Sequence, residues 1–313
     1  MDKIMELVTD LSYKIIFDLS KGRLEAKKLE SFRYFSESLY LYHNYTKKGS
    51  FECLENARAK CIKAYESDRK YTRLANLFYN LGLAYMNEFK SESAKDLFHQ
   101  CIELHSIRTT FEPENEEVLV VIGSSLFFLG KVDDALSEFD KVLNKNPNSE
   151  KALFGKGFIF FYKNKYAKSI EAFEQVTNIN PKYAEAWVGK GTALFRNKKC
   201  DQAIEAFETA TNINPWYAEA WYNKGTALFY NNKYDQAIEA FETATNINPE
   251  YAEAWYNKGI ALLMKKEYDE AVKAFETTTN IMPEHFKAWN NEGLAFYHKN
   301  KFPEALNAYY EAI

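Results

Sequence analysis

Ala218–Phe229 reads AEAWYNKGTALF. The chain says nearly the same thing 34 residues earlier, as AEAWVGKGTALF at Ala184–Phe195, and 34 residues later, as AEAWYNKGIALL at Ala252–Leu263. Within the copy 218–251, Trp221, Gly225 and Leu228 fall at i, i+4 and i+7, which is one face of a helix. YNNKYD interrupts the pattern. Ala237, Phe241 and Ala244 then repeat the spacing on a second helix, and Asn248-Pro249 closes it, because a residue before proline avoids the α region. Each copy is therefore a helix, a tight turn, a second helix and a stop. Neither helix can bury its apolar face alone, so hairpins of this kind must stack on their neighbours.

The phase holds over five copies from 116 to 285. The eighth place is Gly123, Gly157, Gly191, Gly225 and Gly259, and the thirty-second is Pro147, Pro181, Pro215, Pro249 and Pro283. The twentieth is Ala135, Ser169, Ala203, Ala237 and Ala271, and the twenty-fourth is Phe139, Phe173, Phe207, Phe241 and Phe275. These residues resemble the tetratricopeptide repeat family. The resemblance implies an all-α fold, a right-handed superhelical solenoid of stacked antiparallel helical hairpins with a concave inner groove.

Upstream the copies weaken. Phe78, Gly82, Tyr85, Ala94 and Phe98 fit a copy from Ala75, followed by seven extra residues before Glu116. Ala57, Cys61 and Ala64 keep only the second-helix spacing. The sequence thus divides into an N-terminal helical cap at 1–37, divergent hairpins at 38–115, five regular repeats at 116–285, and a truncated repeat at 286–313. In that last copy Leu306, Tyr309 and Tyr310 would lack a covering hairpin, so either a homodimer through the C-terminal repeat or their burial by a rearranged last helix is expected.

Composition narrows the function classes. Of 313 residues 46% are hydrophobic, ample for a continuous core, and only 12 are glycine and seven proline, as a mostly helical chain requires. The net charge of −4 argues against a nucleic-acid binder, which needs a basic stripe for phosphates. MDKIMELVTDLSYKIIFDLS is broken by Asp2, Glu6, Asp10 and Asp18 and does not read as a signal peptide. No run of 18 apolar residues suggests a membrane span. Cys53, Cys61, Cys101 and Cys200 form no CxxC pair, so reduced thiols and a cytoplasmic location are expected. No histidine pairs with another ligand at metal spacing, and the glycines follow helix packing rather than a phosphate-cradling loop. The glutamates of the second helices recur with the fold's own period, as solvated faces do. No catalytic residue, metal or cofactor is therefore expected, and the chain reads as a non-enzymatic scaffold.

By the resemblance, the first helix of each hairpin lines the groove. Carried over, the partner-binding residues are Phe154, Phe158, Phe161 and Tyr162, then Glu185, Val188, Phe195 and Arg196, then Glu219, Tyr222, Phe229 and Tyr230, and finally Glu253 and Tyr256. The lining is apolar and aromatic with a row of glutamates, which suits an apolar, neutral-to-basic peptide or helix of a partner protein. A subgroup of the family grips C-terminal carboxylates with Lys, Asn and Arg at set places. Here those places hold Phe154, Val188, Tyr222 and Tyr256, or glutamate, and only the sixth-place Asn223 and Asn257 remain, so that clamp is absent.

Two other readings stay open: a repeat module of a larger enzyme or regulator continuing past residue 313, and a self-associating structural solenoid. One departure from the family pattern also has two readings. Where the seventh place is usually apolar, this chain has Lys156, Lys190, Lys224 and Lys258. Either the aliphatic stem packs while the ammonium reaches water, which is the commoner behaviour, or the cations reach neighbouring glutamates.

Overall fold

The computed structural model describes residues 26–68, 74–88, 91–109 and 115–312. They form sixteen helices and, among the described residues, no strand. The chain divides into two compact units, 1–155 and 156–313.

The first unit holds α1 (Ala26–Lys48), α2 (Phe51–Ser67), α3 (Leu74–Asn87), α4 (Ser91–Thr109), α5 (Glu116–Phe128) and α6 (Val132–Lys145), with the start of α7 (Glu150–Tyr162). Each helix packs on the next through α6. α1 runs unbroken through position 37, where the sequence suggests a boundary between a cap and the first hairpin. Ser31, Phe35 and Ser38 fall at i, i+4 and i+7 of one face and are buried there. The two serine hydroxyls donate across the hairpin to the carbonyls of Ala64 (2.8 Å) and Ala57 (2.6 Å) on α2. Small residues whose hydroxyls bond backbone let the two helices close, so the first hairpin is 26–67. The rest of the expected cap, 1–25, lies outside the described residues.

The second unit continues α7 and adds α8 (Tyr166–Ile179), α9 (Ala184–Arg196), α10 (Cys200–Ile213), α11 (Ala218–Tyr230), α12 (Tyr234–Ile247), α13 (Ala252–Met264), α14 (Tyr268–Ile281), α15 (Phe286–His298) and α16 (Phe302–Glu311). From α9 onward the first helix of each hairpin also touches the first helix of the next.

The turn inside each hairpin is the same device six times. The fifteenth residue takes a left-handed backbone: Gly130, Asn164, Lys198, Asn232, Lys266 and Asn300, with φ between 55° and 76°. The next N–H then returns to a carbonyl in the helix's last turn, as Lys233 N does to Leu228 O at 3.0 Å. This is a 6→1 Schellman closure, which satisfies carbonyls the helix end would leave bare.

Closing the hairpin also demands a glycine. A Cβ at Gly225 would lie 2.8 Å from the ring of Phe241, and Gly82, Gly123, Gly157, Gly191 and Gly259 stand in the same relation to Phe98, Phe139, Phe173, Phe207 and Phe275. In the last hairpin Tyr309 takes the phenylalanine's place against Gly293. It is therefore turned into its own hairpin rather than left for a partner, whereas Leu306 and Tyr310 are exposed as expected.

Candidate functional site

Successive hairpins of the second unit are joined by three recurring interactions. The fourth-place tryptophan donates its indole N–H to the preceding proline carbonyl: Trp187 to Pro181, Trp221 to Pro215, Trp255 to Pro249 and Trp289 to Pro283, at 2.8–3.0 Å. The seventh-place lysine lies over that indole. Lys190, Lys224 and Lys258 sit 5.2, 5.1 and 5.3 Å from the ring centroids of Trp187, Trp221 and Trp255. Their amines reach Glu174 (3.0 Å), Glu208 (3.7 Å) and Glu242 (3.6 Å) on the second helix of the hairpin before. The lysine side chains are only 16% exposed. The stem packs and the cation finds a carboxylate, so the two sequence readings describe two ends of one side chain. The Lys156 amine lies 5.9 Å from the ring centroid of Phe160.

The third interaction builds the site. The sixth-place amide of one hairpin donates to the fifth-place tyrosine of the hairpin before: Asn257 Nδ2 to Tyr222 Oη and Asn291 Nδ2 to Tyr256 Oη, both at 3.1 Å. Each bond holds a phenol upright on the first-helix face. Between these two tyrosines opens a hollow of about 330 Å³, lined by Tyr222, Thr226, Phe229, Tyr230, Tyr256, Asn257 and Ile260, with the buried Phe241 as its floor. Tyr230 is 66% exposed and forms the outer lip. Its ring packs edge-on against Phe229 (5.7 Å) and Phe195 (5.4 Å), which fixes it with little rotamer freedom left to lose on binding.

Beside the hollow stands a second aromatic group. The ring of Tyr251 lies 5.0 Å from that of Tyr222, and His285 lies 4.7 Å from Tyr256. Glu253 carries a carboxylate 3.7 Å from His285 Nε2 and is about half exposed. Burial first, then the negative charge of Glu253, pushes the Tyr222 phenol up. Tyr217 is pushed up to about 12, again by burial first and then by Glu219 and Glu185. Tyr251 rises too, through burial, its neighbour Tyr222, Glu219 and Glu253. These phenols stay protonated, and the field around them is negative.

Of the residues expected from sequence, Tyr222, Phe229, Tyr230 and Tyr256 line the hollow together, with Phe195 behind the lip. Glu219 and Glu253 flank it, and both are exposed, as is Glu185. Val188 is not among the residues that line the hollow. It is 6% exposed and packs in a core with Leu194 and Phe207, whereas the longer tyrosines at its equivalent places, Tyr222 and Tyr256, stay half-buried. Phe158 packs edge-on against Phe173 while keeping 45% of its surface exposed, and Phe161 packs on Tyr166. Tyr162 is 66% exposed. Arg196 lies over Tyr166 at 5.9 Å. Phe154, in the first unit, is half-buried. Sequence reasoning missed the floor at Phe241, the flanking Tyr217 and Tyr251, and the bracing Asn291. The thirty-fourth-place tyrosines were the available signal.

Among the described residues, no three His, Cys, Asp or Glu side chains gather where they could hold a metal ion. No described helix is long and apolar enough to cross a membrane.

A periodic run of hairpins, closed by glycine against phenylalanine and displaying side chains from successive first helices, defines a helical-repeat protein of the interaction-scaffold kind. The chain belongs to the tetratricopeptide repeat family. A family model described as the tetratricopeptide repeat protein 21 N-terminal ARM repeat matches residues 48–238, and one described as tetratricopeptide repeat matches 222–279 and 277–313. No curated protein sequence matches the chain. Among solved structures it is similar to the MamA protein, at 27% identity and a TM-score of 0.50 over 52% of this chain and 89% of that one. It is also similar to YrrB, described as a TPR protein with an unusual peptide-binding site, at 22% identity and a TM-score of 0.51 over 64% of this chain and 99% of that one. MamA from Desulfovibrio magneticus RS-1 aligns at 18% identity and a TM-score of 0.49, over 52% and 92% of the two chains.

Proposed function

We propose that the chain is a protein-interaction scaffold without catalytic activity of its own. In this reading it holds an apolar segment of a partner, with one or more basic side chains, on the first-helix face of the second unit. The observation that carries the reading is the hollow between Tyr222 and Tyr256. Its ring walls are braced by amides and by each other, so they offer contact area at low entropic cost. Glu219 and Glu253 beside it supply a negative field that favours lysine or arginine and disfavours acidic segments.

Selection from a random displayed-peptide library tests this. The parent should enrich apolar sequences carrying Lys or Arg, and Tyr222→Ala with Tyr230→Ala should weaken the selected peptides by roughly 2 kcal/mol or more at unchanged helicity. Enrichment of acidic peptides, or equal binding by the double variant, would remove the site from this face.

A second reading, self-association, rests on α16. Phe302, Leu306 and Tyr310 are 56%, 54% and 66% exposed, while Val272, the counterpart of Leu306 one hairpin earlier, is 6% exposed. Sedimentation equilibrium decides it: a mass that doubles with concentration supports a homodimer through this face, and a monomer at every concentration refutes it.

A further inference from the structure

The second unit repeats its joint chemistry until the last hairpin, and there the charge reverses. At the three preceding joints the seventh place is a lysine paired with a twenty-fifth-place glutamate of the hairpin before. At the joint between α14 and α15 the glutamate is present, as Glu276, but the seventh place is Glu292. Glu292 is 5% exposed, and its Oε2 is buried without a hydrogen-bond partner. A carboxylate in that position would meet another carboxylate in place of a cation.

The surroundings place Glu292 within the docking contacts of the last hairpin. On α15 itself, Trp289 donates to Pro283 O one turn before Glu292, Asn291 donates to Tyr256 Oη, and Gly293 lies against Tyr309 of α16. Glu292 is therefore set among the interactions that dock the last hairpin. Of the charged side chains on α13, α14 and α16, Glu276 is the one whose charge acts on it.

We propose that Glu292 makes docking of the α15–α16 hairpin proton-dependent, and that the hairpin transmits this to the tyrosine hollow through the Asn291–Tyr256 bond. With Glu292 protonated the joint is neutral on one side and closes. With Glu292 ionised the buried carboxylate faces Glu276 and the joint loosens, which frees Tyr256. The consequence for partner binding rests on the function proposed above, but the docking itself does not.

Burial first, and then the charge of Glu276, pushes the Glu292 carboxyl up from its ordinary 4.5 to about 7. Its folded-state value is thus above its unfolded one. The closed hairpin keeps a proton that the opened one releases. Its stability is greatest below the ordinary carboxylate range, falls as pH rises through it, and levels off above about 7.

Amide hydrogen exchange on the full chain tests the joint without any ligand. Protection factors of α15–α16, measured against α11–α12 as internal reference, should fall on the order of a hundredfold between about pH 5 and about pH 8 in the parent. Glu292→Gln should remove most of that slope. Glu292→Lys, which restores the pairing of the earlier joints, should remove it and raise protection at the higher pH. His285 and His298 on the same hairpin are unchanged in both variants, so the difference reports Glu292. A parent with flat protection, or a slope kept in both variants, overturns the proposal. The ring resonances of Tyr256 should move with the same midpoint in the parent, and a Tyr256 that stays fixed while the hairpin loosens overturns the coupling. Failure of the peptide-selection experiment leaves these readouts untouched.

Discussion

In α3–α4 the ring of Phe98 lies where Gly82 leaves room for it, and in α11–α12 the ring of Phe241 lies where Gly225 does the same. Between hairpins the two regions part. The α1–α2 hairpin meets α3–α4 through rings, Phe51 edge-on to Tyr85 at 6.0 Å and Tyr65 edge-on to Phe78 at 5.8 Å, and through Tyr45 Oη donating to Glu88 at 2.9 Å. The hairpins from 184 onward all meet through the indole bond to a proline carbonyl, the first three of them also through the lysine over the indole, and the last two through the amide under the tyrosine. Closing a hairpin thus has the same solution in α3–α4 as in α11–α12, while joining hairpins has at least two. The second leaves tyrosines standing on the first-helix face, where they can meet a ligand, while the first turns its rings into a common core.

The largest effect expected is at the shared glycine–phenylalanine packing. Phe98 and Phe241 are both essentially fully buried. Truncating either to alanine should cost about 3–5 kcal/mol, the usual range for a buried phenylalanine. Urea unfolding of the two single variants checks it. Comparable losses would sharpen the claim that closure is common to both regions. A loss at Phe98 under half that at Phe241 would break it, and would mean that the ring packing between the early hairpins carries the load there.

Smaller, and confined to the later region, is the effect of Trp221→Phe. The substitution keeps an aromatic ring under Lys224 but removes the donor to Pro215 O. The bond lies near the surface, so its loss should cost about 0.5–1.5 kcal/mol, nearer the lower figure. The urea midpoint of this variant against the parent measures it. No fall in the midpoint would show that the indole is held by packing alone.

Much of this fold could be read from the sequence because the repeat averages away local ambiguity. Gly, Ala, Phe and Pro recur in phase, and each has one mechanical job. The hairpin at 26–67 was harder, because serines do on its first helix what glycine and alanine do in later hairpins. Ser31 and Ser38 allow close approach only because their hydroxyls bond the opposing backbone, and nothing in a hydrophobic pattern announces that. Four aromatic liners of the hollow were legible from position alone. Val188 was not, since whether a side chain stands up or lies down depends on its length and on the neighbour that braces it. The bracing itself, Asn257 under Tyr222, links residues 35 apart and belongs to packing rather than to any one repeat.

The smallest effect expected separates the two ends of one lysine. Lys224 holds a mostly covered stem, and its amine lies over the Trp221 ring and reaches Glu208, whose side chain is 56% exposed. At 3.7 Å beside water, with an exposed partner, the ion pair should contribute at most about 0.5 kcal/mol, and less in high salt. The stem is different, because the side chain is only 16% exposed and its methylenes are largely covered on the way to the ammonium over the indole. Lys224→Met keeps the stem and deletes the charge, removing the ion pair and the cation over the indole, so it should unfold within about 1 kcal/mol of the parent, with the ion-pair part shrinking as salt is added. Lys224→Ala deletes both and should lose about 1 kcal/mol more, at a few buried methylenes of about 0.8 kcal/mol each, less the surface already exposed. Urea titrations of the three proteins at low and high salt give the comparison. If Lys224→Met falls as far as Lys224→Ala, the pairing with Glu208 rather than the packed stem holds the later hairpins together. The joint chemistry of that region would then be electrostatic, and the reversal of charge at Glu292 would weigh correspondingly more.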